Sequence, residues 1–196
     1  MQLNSRIVSN RVIKFDLQIQ LVEFCFPSQE AGLPDGRKNM DTISLEMVMD
    51  FIKAVDLLQQ PIEQYLQEQQ PRPSCIISDS SLPWMFETAS KFEILRIFFH
   101  GMYCFSLLCL HKTHHYKSHK NVAFESEPVD VPSLPHRIEI PKSQLLYGNK
   151  QKFDLQKLLS RSIDVDAKCY SVVVNSFSEL ENEYLEYYQK ALGKKV

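Results

Sequence analysis

One aspartate in the sequence stands where an α/β protein can use a carboxylate. Asp79 comes directly after the short apolar run Cys75–Ser78, and a helix-like segment begins at Pro83. In open α/β sheets, ligands bind outside the carboxyl ends of the strands, so Asp79 is a candidate site residue by its position. The other interpretation is that Asp79 caps or anchors the following helix, and the residues alone leave both interpretations open.

The histidines do not form a recognisable catalytic or metal-binding set. Four of them cluster in the segment HKTHHYKSH, where His111 and His115 have the i, i+4 spacing of helical metal ligands. No glutamate or cysteine completes a zinc site there, and the neighbouring lysines would repel a cation. A solvated helix end is therefore favoured, and no metal is predicted. His100 and His136 stand apart from any serine or cysteine nucleophile motif.

The composition is that of a globular protein of about one domain. The 196 residues are 44% hydrophobic, and 22 basic against 24 acidic residues give a net charge of −2. Without a basic excess, the chain is a poor partner for nucleic acid or an anionic membrane. The five cysteines are scattered, mostly in apolar runs, which is typical of reduced thiols in a cytoplasmic protein. The longest apolar stretch, residues 98–110, is too short for membrane insertion.

Hydrophobic periodicity predicts the elements of the first part of the chain. Residues 5–14 are predicted as a helix, residues 17–26 alternate like a strand, and residues 30–36 form a loop rich in turn formers. Apolar residues at three- and four-residue intervals predict a helix over residues 42–59, which Pro61 ends or kinks.

The second part of the chain alternates strands and helices. The predicted strands are 75–78, 94–99 and 171–174. The predicted helices are 83–92, 102–114, 153–163 and 179–192. Ser178 and Glu181 are predicted to form a capping box for the last helix, and residues 117–135 a surface loop. Because parallel strands need crossover helices, this order predicts an α/β fold with a parallel sheet covered by helices on both faces.

Six stretches of the sequence carry a resemblance to a known family. The stretches are EAGLPDG at 30–36, IISD and LPW within 76–84, ASKF at 89–92, FHGMYCFSLLC at 99–109, VPSLPHRIEI at 131–140 and VVVNSFSELE at 172–181. In order and spacing they resemble plant family-1 UDP-glycosyltransferases, most closely the subgroup that acts on flavonoids and triterpenoids. The resemblance extends over nearly the whole chain.

The resemblance implies a fold and an activity. The fold is one Rossmann-like half of a two-domain GT-B enzyme, the N-terminal half, which holds a small hydrophobic hydroxylated acceptor while the other half holds the UDP-sugar. In such inverting enzymes a histidine takes the proton of the acceptor hydroxyl, and an aspartate orients that histidine. Asp79 matches the family aspartate. The positions that match acceptor-facing residues of the family are Ser80, Ser81, Leu82, His100 and Gly101.

Departures from the family pattern set further expectations. The family histidine lies upstream of the region that matches Met1, and the donor-binding box lies beyond the end of the match. We therefore expect residues 1–196 to be a partial acceptor domain that is inactive alone and needs no cofactor besides the UDP-sugar donor. The alternative is a non-catalytic remnant or acceptor-binding module. An unpaired sheet edge would favour self-association.

Single residues also depart from the family pattern. Glu93 and Leu95 stand where the family usually has glycine and proline, and Met102 stands where a threonine is common.

Overall fold

The computed structural model of the chain describes residues 10, 12–145, 160, 163–165 and 168–196. The chain divides into two compact units, residues 1–70 and residues 71–196. Among the helices in these described ranges, none is long and apolar enough to cross a membrane.

The first unit contains helices joined by loops. Helix α1 (Ser28–Ala31) is followed by two 3-10 turns, Met40–Thr42 and Leu45–Met47, and then by helices α2 (Val48–Asp56) and α3 (Gln59–Glu68). The predicted loop at residues 30–36 therefore begins inside α1. It continues through a glycine in the left-handed region at position 32, with φ of 91°, which ends the helix.

The helix predicted over residues 42–59 is shorter in the structure, where α2 follows the two 3-10 turns and α3 begins only at Gln59. The chain turns at Leu57 and Leu58, and Pro61 lies in the first turn of α3. A proline is tolerated there because its missing amide would have no intrahelical acceptor. Helix α2 buries Ala54 in a small core with Ala31 and Leu33.

The predicted strand over residues 17–26 is wrong, because these residues form no regular element. The side chains of Leu17, Ile19 and Leu21 are exposed. A strand is stable only when a neighbouring strand takes up its backbone N–H and C=O groups, and no described strand pairs with this segment. The predicted helix over residues 5–14 lies largely outside the described residues, although residues 12–14 are helical.

The second unit is built around a parallel sheet. Its described strands are β1 (Cys75–Ser78), β2 (Leu95–His100), β3 (Pro128–Asp130), β4 (Glu139–Pro141) and β5 (Ser171–Val174). Strands β1, β2 and β5 pair in parallel in the order β1-β2-β5, so β2 is central. The three strands predicted from the sequence are confirmed to within one residue, and so is their parallel arrangement.

The second pair of strands, β3 and β4, was not predicted from the sequence. β3 and β4 pair antiparallel, with Val129 opposite Ile140. β3 lies within residues 117–135, which were predicted to be a loop, and the same segment holds a 3-10 turn at Ser118–Asn121. Strands of three residues are too short to show a clear alternation of apolar and polar side chains.

Helices of the second unit follow the predicted order. They are α4 (Met85–Lys91), α5 (Cys104–Tyr116) and α6 (Ser178–Leu192). They confirm the helices predicted over residues 83–92, 102–114 and 179–192, with ends shifted by one or two residues. The helix predicted over residues 153–163 lies mostly outside the described residues.

Helices cover one face of the parallel sheet. Phe98 of β2 and Val172 of β5 are buried with Leu108 of α5 and Tyr188 of α6 in the main core. On the opposite face, alternate strand residues are exposed: Ile77, Leu95, Phe99 and Val173. In the part of the chain that the structure describes, the prediction of helices on both faces is therefore met on one face only.

Helix α4 ends in a turn that explains one departure from the family pattern. The amide of Ile94 donates to the Ala89 carbonyl at 2.9 Å and the amide of Glu93 to the Ser90 carbonyl at 3.2 Å. These two bonds define a Schellman motif, in which the residue after the helix adopts the left-handed conformation that glycine favours. Glu93 occupies that position with φ of 56°. A glutamate there carries steric strain that the glycine usual in the family avoids.

Replacing Glu93 by glycine should stabilise the chain. Relief of the left-handed strain should raise the free energy of unfolding by about 1 kcal/mol, measured by urea unfolding. The matched control is Glu87→Gly in the first turn of α4, which should lower it by about 1 kcal/mol, because glycine is a poor helix former and the change removes a carboxylate from the helix N-terminus. Equal destabilisation by both substitutions would contradict the strain argument.

Candidate functional site

The candidate site lies at the carboxyl edge of the parallel sheet. Because β1, β2 and β5 run in the same direction, the residues that follow each strand meet at one edge. Residues 79–82 follow β1, residues 100–103 end β2 and lead into α5, and residues 175–177 follow β5. The structure therefore brings the six site residues predicted from the sequence to the same edge.

Asp79 is an exposed carboxylate anchored through one oxygen. Its Oδ1 accepts hydrogen bonds from the Ser81 amide at 2.9 Å and from the Ser81 hydroxyl. Helix α4 begins six residues later, after Trp84, so Asp79 does not cap it. Of the two structural roles considered from the sequence, the loop anchor is therefore the one that the structure has. Ser80 and Ser81 are exposed, and Leu82 is half-buried.

A buried arginine holds the loop that carries Asp79. The Nε of Arg96 donates to the Ser78 hydroxyl at 2.9 Å, and its Nη2 donates to the carbonyl oxygens of Asp79 at 3.5 Å and Leu82 at 3.3 Å. The guanidinium also lies 4.9 Å from the centre of the Phe98 ring. Only 3% of Arg96 is exposed. Arg96 was not predicted from the sequence as a site residue, although a single arginine in the apolar strand LRIFFH is an unusual feature.

His100 ends the central strand and is buried. Its ring centre is 4.5 Å from that of Phe98, and its carbonyl accepts a hydrogen bond from the Asn175 amide at 3.0 Å. Gly101 is exposed, and a side chain at that position would meet no atom within 4 Å. The next two residues, Met102 and Tyr103, are also exposed. The loop after β2 thus leads from a fixed histidine to residues that face open space.

Glu181, which lies on α6, connects that helix with the start of α5 and with the segment after β5. Its carboxylate accepts hydrogen bonds from the amides of Cys104 at 2.9 Å and Phe105 at 3.1 Å, and from the hydroxyl of Ser176. The predicted capping box is therefore wrong: Ser178 bonds to Glu179, and Glu181 caps α5 instead of its own helix. A charge-assisted hydrogen bond of this kind contributes roughly 1.5–3 kcal/mol, which outweighs a local cap of about 1 kcal/mol.

A small cavity opens beside Glu181. Its volume is about 210 Å³, and it is bounded mainly by β5 and the first turns of α5 and α6. Burial, followed by the negative charge of Glu181, raises the pKa of the Cys104 thiol to about 11. The thiol is therefore protonated at neutral pH and is not a nucleophile. Burial also raises the pKa of Cys109 to about 11.

The histidine cluster lies on the end of α5, away from any assembled ligand set. The rings of His111 and His115 stack with their centres 6.4 Å apart. Burial, and then the positive charges of Lys120 and other nearby groups, lower the pKa of His119. Over the described residues, no group of three or more histidine, cysteine or acidic side chains is arranged to hold a metal.

Arg96→Lys tests whether the buried guanidinium holds the Asp79 loop. Lysine keeps the charge but loses the planar fork, so the Ser78 hydroxyl and two carbonyls lose their donors. We expect the free energy of unfolding to fall by roughly 2–4 kcal/mol in urea titrations. The control is Arg137→Lys, an exposed arginine near Asp130 and Glu139, where the change should stay within about 0.5 kcal/mol. An unchanged unfolding midpoint for Arg96→Lys would exclude the proposed role.

Comparison with known proteins shows which proteins this chain is similar to. No protein-family profile matches the chain. It is 40% identical over 193 residues to UDP-glycosyltransferase 73D1 of Arabidopsis thaliana, which covers 98% of this chain and 38% of the relative. It is also 40% identical over 191 residues to UDP-glycosyltransferase 73C3 of the same plant, covering 96% of this chain and 38% of that relative.

A solved structure agrees with the sequence relatives. The crystal structure of Glycyrrhiza uralensis UGT73P12 in complex with glycyrrhetinic acid 3-O-monoglucuronide matches 90% of this chain and 35% of its own, with a TM-score of 0.70 and 27% identity. The chain thus spans little more than a third of the length of the proteins it matches. In sequence and in its parallel sheet the chain is thus similar to one segment of plant UDP-glycosyltransferases, and it has the fold of a partial GT-B half.

Proposed function

We propose that this chain forms part of the acceptor-binding half of a UDP-glycosyltransferase. The enzyme would transfer a sugar from a UDP-sugar to a hydroxyl group of a small plant secondary metabolite of the flavonoid or triterpenoid type. The main support for the proposal is that residues 79–82 lie at the same sheet edge as His100 and Gly101. These residues match the family positions that face the acceptor. The crystal structure of the Glycyrrhiza protein with glycyrrhetinic acid 3-O-monoglucuronide supports an acceptor of the triterpenoid type.

The proposed reaction transfers one proton and replaces the bond between the sugar and UDP with a bond between the sugar and the acceptor oxygen. A histidine base, which the family places in a segment preceding the one matched here, removes the proton from the acceptor hydroxyl. The acceptor oxygen then attacks the anomeric carbon from the face opposite to UDP, and the bond between that carbon and the UDP oxygen breaks. UDP leaves with the bonding electron pair, so the anomeric configuration is inverted.

Asp79 would orient the histidine and stabilise its charged form. Both hydrogen bonds to this carboxylate end on Oδ1, where the Ser81 amide and hydroxyl hold it in place. Oδ2 is thus the oxygen that would accept the hydrogen bond of an imidazole N–H. Fixing one oxygen orients the other, which is what a carboxylate that acts on a neighbouring base requires.

The remaining parts of the reaction fall outside this chain. The matched segment is 38% of the relatives' length, so binding of the UDP-sugar is assigned to another part of the protein, and no further cofactor is proposed. All five cysteines are free thiols, which supports a cytoplasmic location.

Activity is best tested in a chimaera in which this chain replaces the matching segment of UDP-glycosyltransferase 73D1. In that protein Asp79→Asn should lower kcat at least about tenfold, which corresponds to about 1.4 kcal/mol of barrier. The Tm should hardly change, because the asparagine oxygen can still accept the bonds from Ser81. The assay uses UDP-glucose and a panel of flavonols and triterpenoids.

Two controls define the outcomes of this test. Asp130→Asn removes an exposed carboxylate elsewhere in the second unit and should leave kcat unchanged. The 196-residue chain alone should form no glycoside above a reaction without protein. Normal kcat in Asp79→Asn would leave the carboxylate as a loop anchor only. A parent chimaera that binds acceptor without turnover would favour the non-catalytic module.

We also propose that the isolated chain self-associates through β1, an edge strand of the described sheet. Ile77 at this edge is 63% exposed, and an open strand edge templates pairing with a second copy. Light scattering should give a mass that increases with protein concentration, and Ile77→Lys should reduce that increase. Leu57→Lys, at an exposed apolar position of the first unit, should not reduce it. A monomer at every concentration would disprove the proposal.

A further inference from the structure

We propose that Glu181 is a positioning residue for acceptor binding, because it holds the end of the loop formed by residues 100–103 at which helix α5 begins, and it also bonds to the segment with which the other end is paired. This inference rests on the proposed function, in which that loop faces the acceptor. Glu181 itself lies on α6 and acts through the loop.

Helix α5 has no cap of its own, and Glu181 supplies one. Tyr103 occupies the N-cap position with an extended backbone and makes no side-chain capping bond. The first free amides, those of Cys104 and Phe105, donate instead to the Glu181 carboxylate. A carboxylate is favourable there because the N-terminal end of a helix carries a partial positive charge. The start of α5 therefore depends on a residue 77 positions later in the chain.

The backbone of α6 is distorted where it presents this carboxylate. Glu181 has φ of −138° and ψ of 31°, which are not helical values, inside the helix Ser178–Leu192. The helix makes this local departure at the residue that contacts α5. The contact between the two helices continues at Phe105 and Tyr184, whose ring centres are 5.1 Å apart.

The other end of the loop is held by strand pairing, next to a residue that also bonds to Glu181. Ser176 donates its hydroxyl to Glu181, and the neighbouring Asn175 amide donates to the His100 carbonyl at 3.0 Å. The loop is thus tied at His100 to the segment after β5 and at Cys104 to Glu181 of α6, which also bonds to Ser176 of that segment. Between these points, Met102 and Tyr103 are 42% and 54% exposed. The two tied ends therefore restrict where these two residues can lie.

Met102 and Tyr103 offer an apolar and an aromatic surface to a ligand at this edge. Such side chains suit a flat or bulky apolar acceptor that carries a hydroxyl group. Glu181 would thereby control acceptor affinity more than the chemical step. The two carboxylate oxygens serve three donors, and glutamine cannot replace them, because its amide group offers one acceptor oxygen and a donor that opposes the helix amides.

Glu181→Gln in the chimaera separates positioning from chemistry. With quercetin as the acceptor probe, Kd by calorimetry and KM should both rise at least about tenfold, while kcat and the KM for UDP-glucose should change less than about threefold. In the 196-residue chain, hydrogen exchange at the Cys104 and Phe105 amides should accelerate at least about tenfold, while the Phe98 amide in the core should be unaffected. Glu179→Gln, an exposed glutamate in the first turn of the same helix, is the control and should match the parent in every measurement.

Each outcome decides the proposal. Faster exchange with unchanged quercetin affinity would reduce Glu181 to a helix cap and overturn the positioning role. Unchanged exchange would overturn the cap as well. A parent chimaera that binds quercetin but transfers no sugar would refute the proposed function, whereas the Kd of Glu181→Gln would still decide the positioning role. A parent chimaera that does not bind quercetin would overturn both.

Discussion

The parallel pairing of β2 between β1 and β5 is the constraint on which the candidate site depends. Three strands that run in one direction must end at one edge, so residues far apart in sequence are brought together there. The backbone ladder fixes where each strand ends. It does not fix the loops that follow, which lie beyond the last ladder bond and need other partners.

Two side chains stabilise those loops, and they do so in a similar way. Arg96, on the central strand, donates hydrogen bonds to Ser78 and to the loop after β1. Glu181 accepts hydrogen bonds from the first amides of the helix that follows β2. In each case a charged group serves several backbone groups at once, which offsets the free-energy cost of removing its charge from water. The geometry of the candidate site is therefore determined largely by two residues that are not among its predicted members.

Local signals allowed most of the second unit to be predicted, and the errors have a common physical origin. The runs at residues 75–78 and 171–174 are short, apolar and bounded by turn formers, and the structure has strands there. The alternating run at residues 17–26 also has a pattern typical of a strand, but it has no pairing partner among the described strands. The capping box failed for a related reason, because Glu181 satisfies amides of another helix rather than those of its own.

The candidate site was predictable in position rather than in detail. Asp79, His100 and Gly101 follow or end strands, and that placement can be derived from element order alone. Arg96 could not be derived in this way, since its partners at Ser78 and Leu82 are set by the register between β1 and β2. The position of an imidazole relative to the Asp79 carboxylate does not follow from the strand register, so the proposed action on a histidine could not be derived in this way either.

The electrostatic contribution of Asp79 depends on exclusion of water from the sheet edge. At a separation of 4 Å, opposite unit charges attract by about 1 kcal/mol in bulk water and by about 4 kcal/mol at the effective dielectric near a protein surface. Asp79 is exposed in this chain, so its charge is screened by solvent. In the proposed reaction, the carboxylate would stabilise an imidazolium strongly only when an acceptor and a covering segment displace that water. The order of the loops around Asp79, which Arg96 and Glu181 maintain, is therefore part of what makes the carboxylate useful, because a loose edge would readmit water.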